Sequence, residues 1–217
     1  MCGRINVSDH AGVQELLDFL EIPLFPSSLP PRFNIAPGAT LPTIVNNEGR
    51  LECNPMSWGI VPRWAKPDTF SRPLINARAE TIWEKPSFKS LVKSFRAIIP
   101  INGFYEWQRQ NKLKVPYYIS ASNSNVLALG GIFNISNDGE LQCCIITTEA
   151  NTKMEKVHNR MPVIITRDNI KEWLATENKN TLNNYMQPIL DDLINIQQVT
   201  PYVNNAKNDG EKCIEVV

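Results

Sequence analysis

Val13, Leu16, Leu17 and Leu20 fall at i, i+3, i+4 and i+7, the spacing of one helix face, and predict a helix from Ser8 to about Leu20 with Ser8 as its cap. Pro23, Pro26, Pro30, Pro31, Pro37 and Pro42 then predict a long constrained loop over 22–42. Thr43–Val45 and Leu51–Cys53, separated by Asn46-Asn47-Glu48-Gly49, read as a hairpin. A second helix is expected to start at Pro86, with Phe88, Leu91, Val92 and Phe95 on one side and Lys85, Lys89, Lys93 and Arg96 on another, either a solvated face or a rail for phosphates. From Ala97 to Thr147 the chain is rich in β-branched and aromatic residues. It predicts strands at Ala97–Ile101, Phe104–Trp107, Tyr117–Ser120, Val126–Phe133 and Leu141–Thr147. Met161–Thr166 reads as another strand, followed by a short helix capped by Asp168. The expected fold class is α+β: one β-dominated domain over 1–217 with peripheral helices.

Composition narrows the function classes. Lys+Arg and Asp+Glu are both 22, so the chain has no bulk electrostatic pull toward nucleic acid or membrane, which leaves room for a local basic cleft. No apolar run reaches the roughly 20 residues of a membrane span, and the polar start after Met1-Cys2-Gly3-Arg4 does not resemble a secretion signal. Five cysteines without a CxxC pair, and only two histidines, favour a reducing cytoplasm and leave no motif for a disulfide framework or a metal.

Cys2 is the most informative position. Removal of Met1 would leave an α-amine and a thiol on adjacent carbons, a pair that closes on an aldehyde as a thiazolidine ring. An α-amine with a pKa of about 7.8 is roughly one-third neutral at pH 7.5, whereas a lysine near 10.4 is neutral only about 0.1% of the time. The plainer alternative is a ragged terminus. Glu106, framed by aromatics in Gly103-Phe104-Tyr105-Glu106-Trp107, is either an exposed strand residue or a pocketed acid suited to proton transfer. His158 stands before a strand and could pass protons as an imidazole, or serves as a loop residue bonding a carbonyl. Asn76 could orient an amine or sugar oxygen and Arg78 fork onto phosphate, or the two are a turn amide and a surface cation. Asn34 and Pro37 lie in the rigid Arg32–Pro37 stretch. Trp64 ends Trp58-Gly59-Ile60-Val61-Pro62-Arg63-Trp64 and could stack on a base or sit in the core.

In order, Met1–Arg4, Arg32–Pro37, Trp58–Trp64, Asn76–Glu80, Gly103–Trp107 and His158–Pro162 resemble the SOS-response-associated peptidase family, with Pro201–Asn205 similar to its C-terminal strand. The resemblance implies a sensor of abasic sites in single-stranded DNA. It would remove its own Met1 and crosslink through Cys2, combining self-processing peptidase and lyase-type chemistry in the DNA damage response. It further implies catalytic roles for Cys2, Asn76, Glu106 and His158, and DNA contacts from Arg4, Asn34, Pro37, Trp64, Arg78 and Arg160. A cytoplasmic monomer, nucleoid-associated when bound to DNA, is expected, with no cofactor or metal. Asn102 departs from the family's frequent Asp, and Ala65 from a second aromatic beside Trp64. The competing readings are an N-terminal-nucleophile cysteine amidohydrolase and a plain single-strand-binding module that leaves Cys2 idle.

Overall fold

The computed structural model describes every residue except Met1, Leu24, Lys66–Ser71 and Lys112. Its strands are β1 (Ile5–Val7), β2 (Arg32–Ile35), β3 (Thr40–Asn47), β4 (Arg50–Trp58), β5 (Asn76–Arg78), β6 (Arg96–Ile101), β7 (Gly103–Gln110), β8 (Leu113–Ala121), β9 (Leu127–Ile135), β10 (Leu141–Glu149), β11 (Arg160–Pro162) and β12 (Ile194–Gln198). The helices are α1 (His10–Phe19), α2 (Leu91–Ser94), α3 (Thr152–Glu155), α4 (Ile170–Ala175) and α5 (Lys179–Tyr185).

The strands form two sheets. One runs β12-β8-β7-β1-β2. In the other, pairings pass from β10 through β4, β3, β6 and β9 and return to β10, making a closed circuit. Short β5 and β11 attach to opposite edges of β10. One apolar cluster draws on both sheets, including Ile5, Phe104 and Ile119 from the first and Ile98, Leu129 and Ile145 from the second. The expected β-dominated α+β class is the observed one.

The predicted strands from 96 to 149 all form, and most run longer than the periodicity suggested. β7 and β8 pair from Gly103↔Ser120 to Gln110↔Leu113. Gly103 cannot carry a side chain there, because a Cβ would lie 2.4 Å from the Tyr118 ring. The 22–42 stretch is not loop throughout, since Arg32–Ile35 pairs with β1 and β3 begins at Thr40.

Several local expectations need correction. Asp9, not Ser8, caps α1: its carboxylate accepts the Gly12 N–H at 3.0 Å, while the Ser8 N–H donates to Asn102 Oδ1. The helix expected from Pro86 shrinks to Leu91–Ser94. Arg96 is buried rather than part of a lysine-lined solvent face. Its guanidinium takes the Val92 and Lys93 carbonyls that a longer helix would have used. Met161–Thr166 is a strand only to Pro162. Beyond it the backbone crosses to β9, with Ile165 donating to the Ala128 carbonyl at 2.9 Å. Asp168 lies inside a 3-10 turn (Arg167–Asn169), and Asn169 stands at the cap of α4. Pro201–Asn204 is a 3-10 turn, not a strand.

Asn102 shows what its amide adds over an aspartate. Oδ1 accepts from Ser8 and Asp9, while Nδ2 donates to the Asp9 and Asn125 carbonyls. A carboxylate could accept but not donate.

Candidate functional site where the two sheets meet

β7 alternates its side chains between the two faces of its sheet. Phe104 joins the main apolar cluster, and Tyr105 joins a smaller cluster with Val199, Val203 and Cys213. Alternation therefore turns Glu106 to the same side as Phe104, into the space between the sheets, where it is 4% exposed. β1 runs antiparallel alongside, with Ile5 opposite Phe104 and Tyr105 N–H donating to the Arg4 carbonyl at 2.9 Å. This brings the first residues of the chain to Glu106.

Cys2 is fully buried there. Burial pushes its thiol well above the ordinary thiol range, and the negative charge of Glu106 pushes it further. The thiol therefore stays protonated at neutral pH. Across the gap, Asn76 Nδ2 donates to the Cys2 carbonyl at 2.9 Å. Asn76 opens β5, where it pairs with Ile145 of β10. One hydrogen bond thus ties the start of the chain, in the open sheet, to the closed circuit. Asn76 Oδ1 is buried with no protein partner, which leaves an acceptor beside Cys2.

β10 gathers the other candidates. Arg78 pairs opposite Thr147 on one edge, and Arg160 opposite Glu149 on the other. Arg78 is exposed. Arg160 forks onto Glu80, with Nη1 to Oε1 at 2.6 Å and Nη2 to Oε2 at 3.0 Å, and Nη2 also donates to the Thr147 carbonyl at 2.8 Å. Those contacts, with Arg78 nearby, hold the Glu80 carboxyl below its usual range although partial burial pulls the other way. The Arg160 backbone N–H donates to His158 Nδ1 at 3.0 Å. The Arg160 carbonyl lies 3.3 Å from the same nitrogen, so Nδ1 accepts from the Arg160 N–H in one tautomer and donates to the Arg160 carbonyl in the other.

The remaining expected DNA contacts lie in different surroundings. Trp64 is 65% exposed, and its neighbour Arg63 donates to the Ile135 carbonyl where β9 ends. That is the opposite end of β10 from Arg160, about 25–30 Å away at the rise of an extended strand. Pro37 is exposed, and the next residue, Gly38, donates to the Trp58 carbonyl at the end of β4. Asn34 is buried, and its Nδ2 donates to the Val203, Asn205 and Asn208 carbonyls. Arg4 is half-buried. It donates to Asn34 Oδ1 at 2.7 Å and the Val203 carbonyl at 3.0 Å, and lies over the Trp107 ring. Asn34 and Arg4 thus brace the C-terminal segment. Only Pro37, Trp64 and Arg78 of the expected DNA contacts are exposed.

Sequence reasoning assigned no role to Glu80 or Thr147. Glu80 was visible inside the Asn76–Glu80 motif, but its partner is 80 residues away, so only the fold shows the pairing. Among the described residues, no group of His, Cys, Asp and Glu could hold a metal ion, and no helix is long and apolar enough to cross a membrane.

Comparison with known proteins gives this geometry a family. Abasic site processing protein YoqW of Bacillus subtilis (strain 168) is 38% identical over 99% of both chains. Abasic site processing protein YedK of Escherichia coli (strain K12) is 27% identical over the full length of both. Abasic site processing protein HMCES of Xenopus tropicalis is 30% identical over 75% of this chain and 56% of its own. A crystal structure of a protein from Bacteroides thetaiotaomicron shares the fold with a TM-score of 0.84 at 22% identity, covering all of both chains. Residues 1–206 match the family described as SOS response associated peptidase (SRAP), and the chain belongs to that family.

Proposed function

We propose that this protein processes abasic sites in single-stranded DNA by crosslinking them covalently to Cys2. The observation that carries the reading is the meeting of Cys2 with Glu106 and Asn76 where the two sheets come together. The names of the full-length relatives support the abasic-site part.

Met1 lies outside the described residues, and its release by hydrolysis of the Met1–Cys2 peptide bond comes first in the proposed sequence. The freed nitrogen of Cys2 adds to C1′ of the ring-opened sugar. The carbinolamine loses water to give an imine. Cys2 Sγ then bonds to the same carbon as its thiol proton passes to nitrogen, closing the thiazolidine with one water released overall. The order follows from protonation: a thiol kept neutral by burial and by Glu106 is a poor first nucleophile, whereas the amine is partly neutral near pH 7.5. Glu106 accepts the proton the amine loses and returns it when the carbinolamine oxygen leaves as water. His158 carries the proton that the C1′ hydroxyl loses to the ring oxygen as the C1′–O bond breaks and the ring opens. Asn76 holds the Cys2 carbonyl and offers Oδ1 to the amine or a sugar hydroxyl. Arg78, Arg160, Pro37 and Trp64 mark the path of the strand along β10, and the working form is a monomer.

The test is a denaturing gel with oligonucleotides carrying one abasic site. Wild type gives a shifted band that survives boiling in detergent, and Cys2→Ala reduces it at least about 100-fold, as expected when the amine remains but the thiol that locks the imine into a ring is lost. An equal, equally stable band from Cys2→Ala overturns the reading. Ammonia release from glutamine with no DNA adduct would replace it with the amidohydrolase.

A further inference from the structure

We propose that Glu80 sets the protein's selectivity for lesions by occupying Arg160 in place of a DNA phosphate. The inference rests on the DNA reading above and adds a residue with no role in that chemistry. A guanidinium fork takes a carboxylate or a phosphate in the same planar, two-oxygen geometry. In the free protein Glu80 fills that fork with both oxygens. A backbone phosphate arriving at Arg160 must displace a tethered carboxylate that is always at hand.

The two partners differ in freedom. The Arg160 side chain is 13% exposed, and Thr147 holds it through both its carbonyl and its hydroxyl. The Glu80 side chain is 39% exposed and sits on the short 3-10 turn Ala79–Thr81. It borders an open cleft lined by Trp83, Glu84, Glu149 and Lys179, so it has space to leave, with Lys179 and the nearby Arg78 as alternative cations. Arg160 is the fixed member of the pair and Glu80 the movable one.

Selectivity follows from where the cost falls. Displacing Glu80 weakens every single strand by the same factor, damaged or not. A lesion-bearing strand recovers the loss through its bond to Cys2, and an undamaged strand has no such compensation. Glu80 thereby lowers occupancy on intact DNA without limiting the captured product.

The experiment measures anisotropy of a labelled, lesion-free oligodeoxynucleotide of mixed sequence against wild type, Glu80→Gln, Arg160→Gln and the double variant over a salt series. The gel assay on abasic DNA is run on the same preparations. Gln at 80 keeps the shape and an acceptor but removes the charge. Glu80→Gln is expected to tighten binding about 3- to 10-fold and to steepen the salt dependence by about one released counterion. In the Arg160→Gln background the same change is expected to tighten binding less than about 2-fold, since the fork is gone. Glu80→Ala must shift affinity in the same direction. Unchanged or weaker binding by the Glu80 variants, with wild type still crosslinking abasic DNA, overturns this inference alone. Tightening that persists in full without Arg160 overturns it too, because general charge removal then accounts for it. Absence of a wild-type crosslink is instead a failure of the functional reading.

Discussion

Arg96 and Arg160 are both withdrawn from solvent, yet they are held in opposite ways. Arg96 donates to the Val92, Lys93, Trp173, Leu174 and Thr176 carbonyls, at the C-terminal ends of α2 and α4. Helix ends leave carbonyls without intrahelical partners and carry partial negative charge, so one cation satisfies two of them. No carboxylate stands within salt-bridge distance of Arg96 among the described residues, and five fixed carbonyls cannot be exchanged for a ligand. Arg160 is held by Thr147 and by a carboxylate that is 39% exposed, at the rim of the candidate site. On the proposed reading, the contrast separates a structural buried arginine from a functional one by whether its partner can leave.

The sharpest way to break the comparison is Arg96→Met. It leaves several buried carbonyls unsatisfied and is expected to cost about 3–5 kcal/mol, read by urea unfolding. The folded fraction should still crosslink abasic DNA at the wild-type rate. A loss under about 1 kcal/mol would mean that the helix ends find other partners.

Arg160→Gln is expected to cost less stability, about 1–2 kcal/mol, because Glu80 returns to water. Its main effect should be on DNA: about 10-fold weaker binding of undamaged strands and a salt slope shallower by about one. A large stability loss with unchanged DNA affinity would put Arg160 in the same class as Arg96.

The smallest expected effect separates the interior of the closed circuit from the site. Burial raises the thiols of Cys53 on β4 and Cys143 on β10 to about 12. Below the ordinary thiol range near 8.5, both folded and unfolded chains keep these protons, and they add no pH dependence. Above it the unfolded chain ionises first, so stability falls as pH rises, by about 0.8 kcal/mol per thiol at pH 9. Urea midpoints across pH 7–9.5 should show the decline. Cys143→Ala should lower the midpoint at every pH and flatten the slope, and an unchanged slope would remove the thiols as its cause.

The strands from 96 to 149 were legible because their residue types fit a pleated, packed surface without outside help. The six short motifs of the family were equally legible as words. Long-range partners were hidden. The helix from Pro86 failed because Arg96, which read as a surface cation, draws carbonyls from within its span. Asn34 was expected on DNA from the family resemblance, but it is occupied by three carbonyl partners about 170 positions downstream. Glu80 went unassigned for the same reason. Local pattern reports which residues can pack or ionise, and only the closed chain reports which of them are already occupied.

If Met1 is removed as proposed, the bond from Asn76 to residue 2 bears on that step. It grips the acyl side of that residue, the part that trimming of the leading methionine never touches. The anchor therefore would not need rebuilding after such a cut. The severed end would be left moored by its carbonyl, with the newly bared nitrogen facing whatever enters the gap.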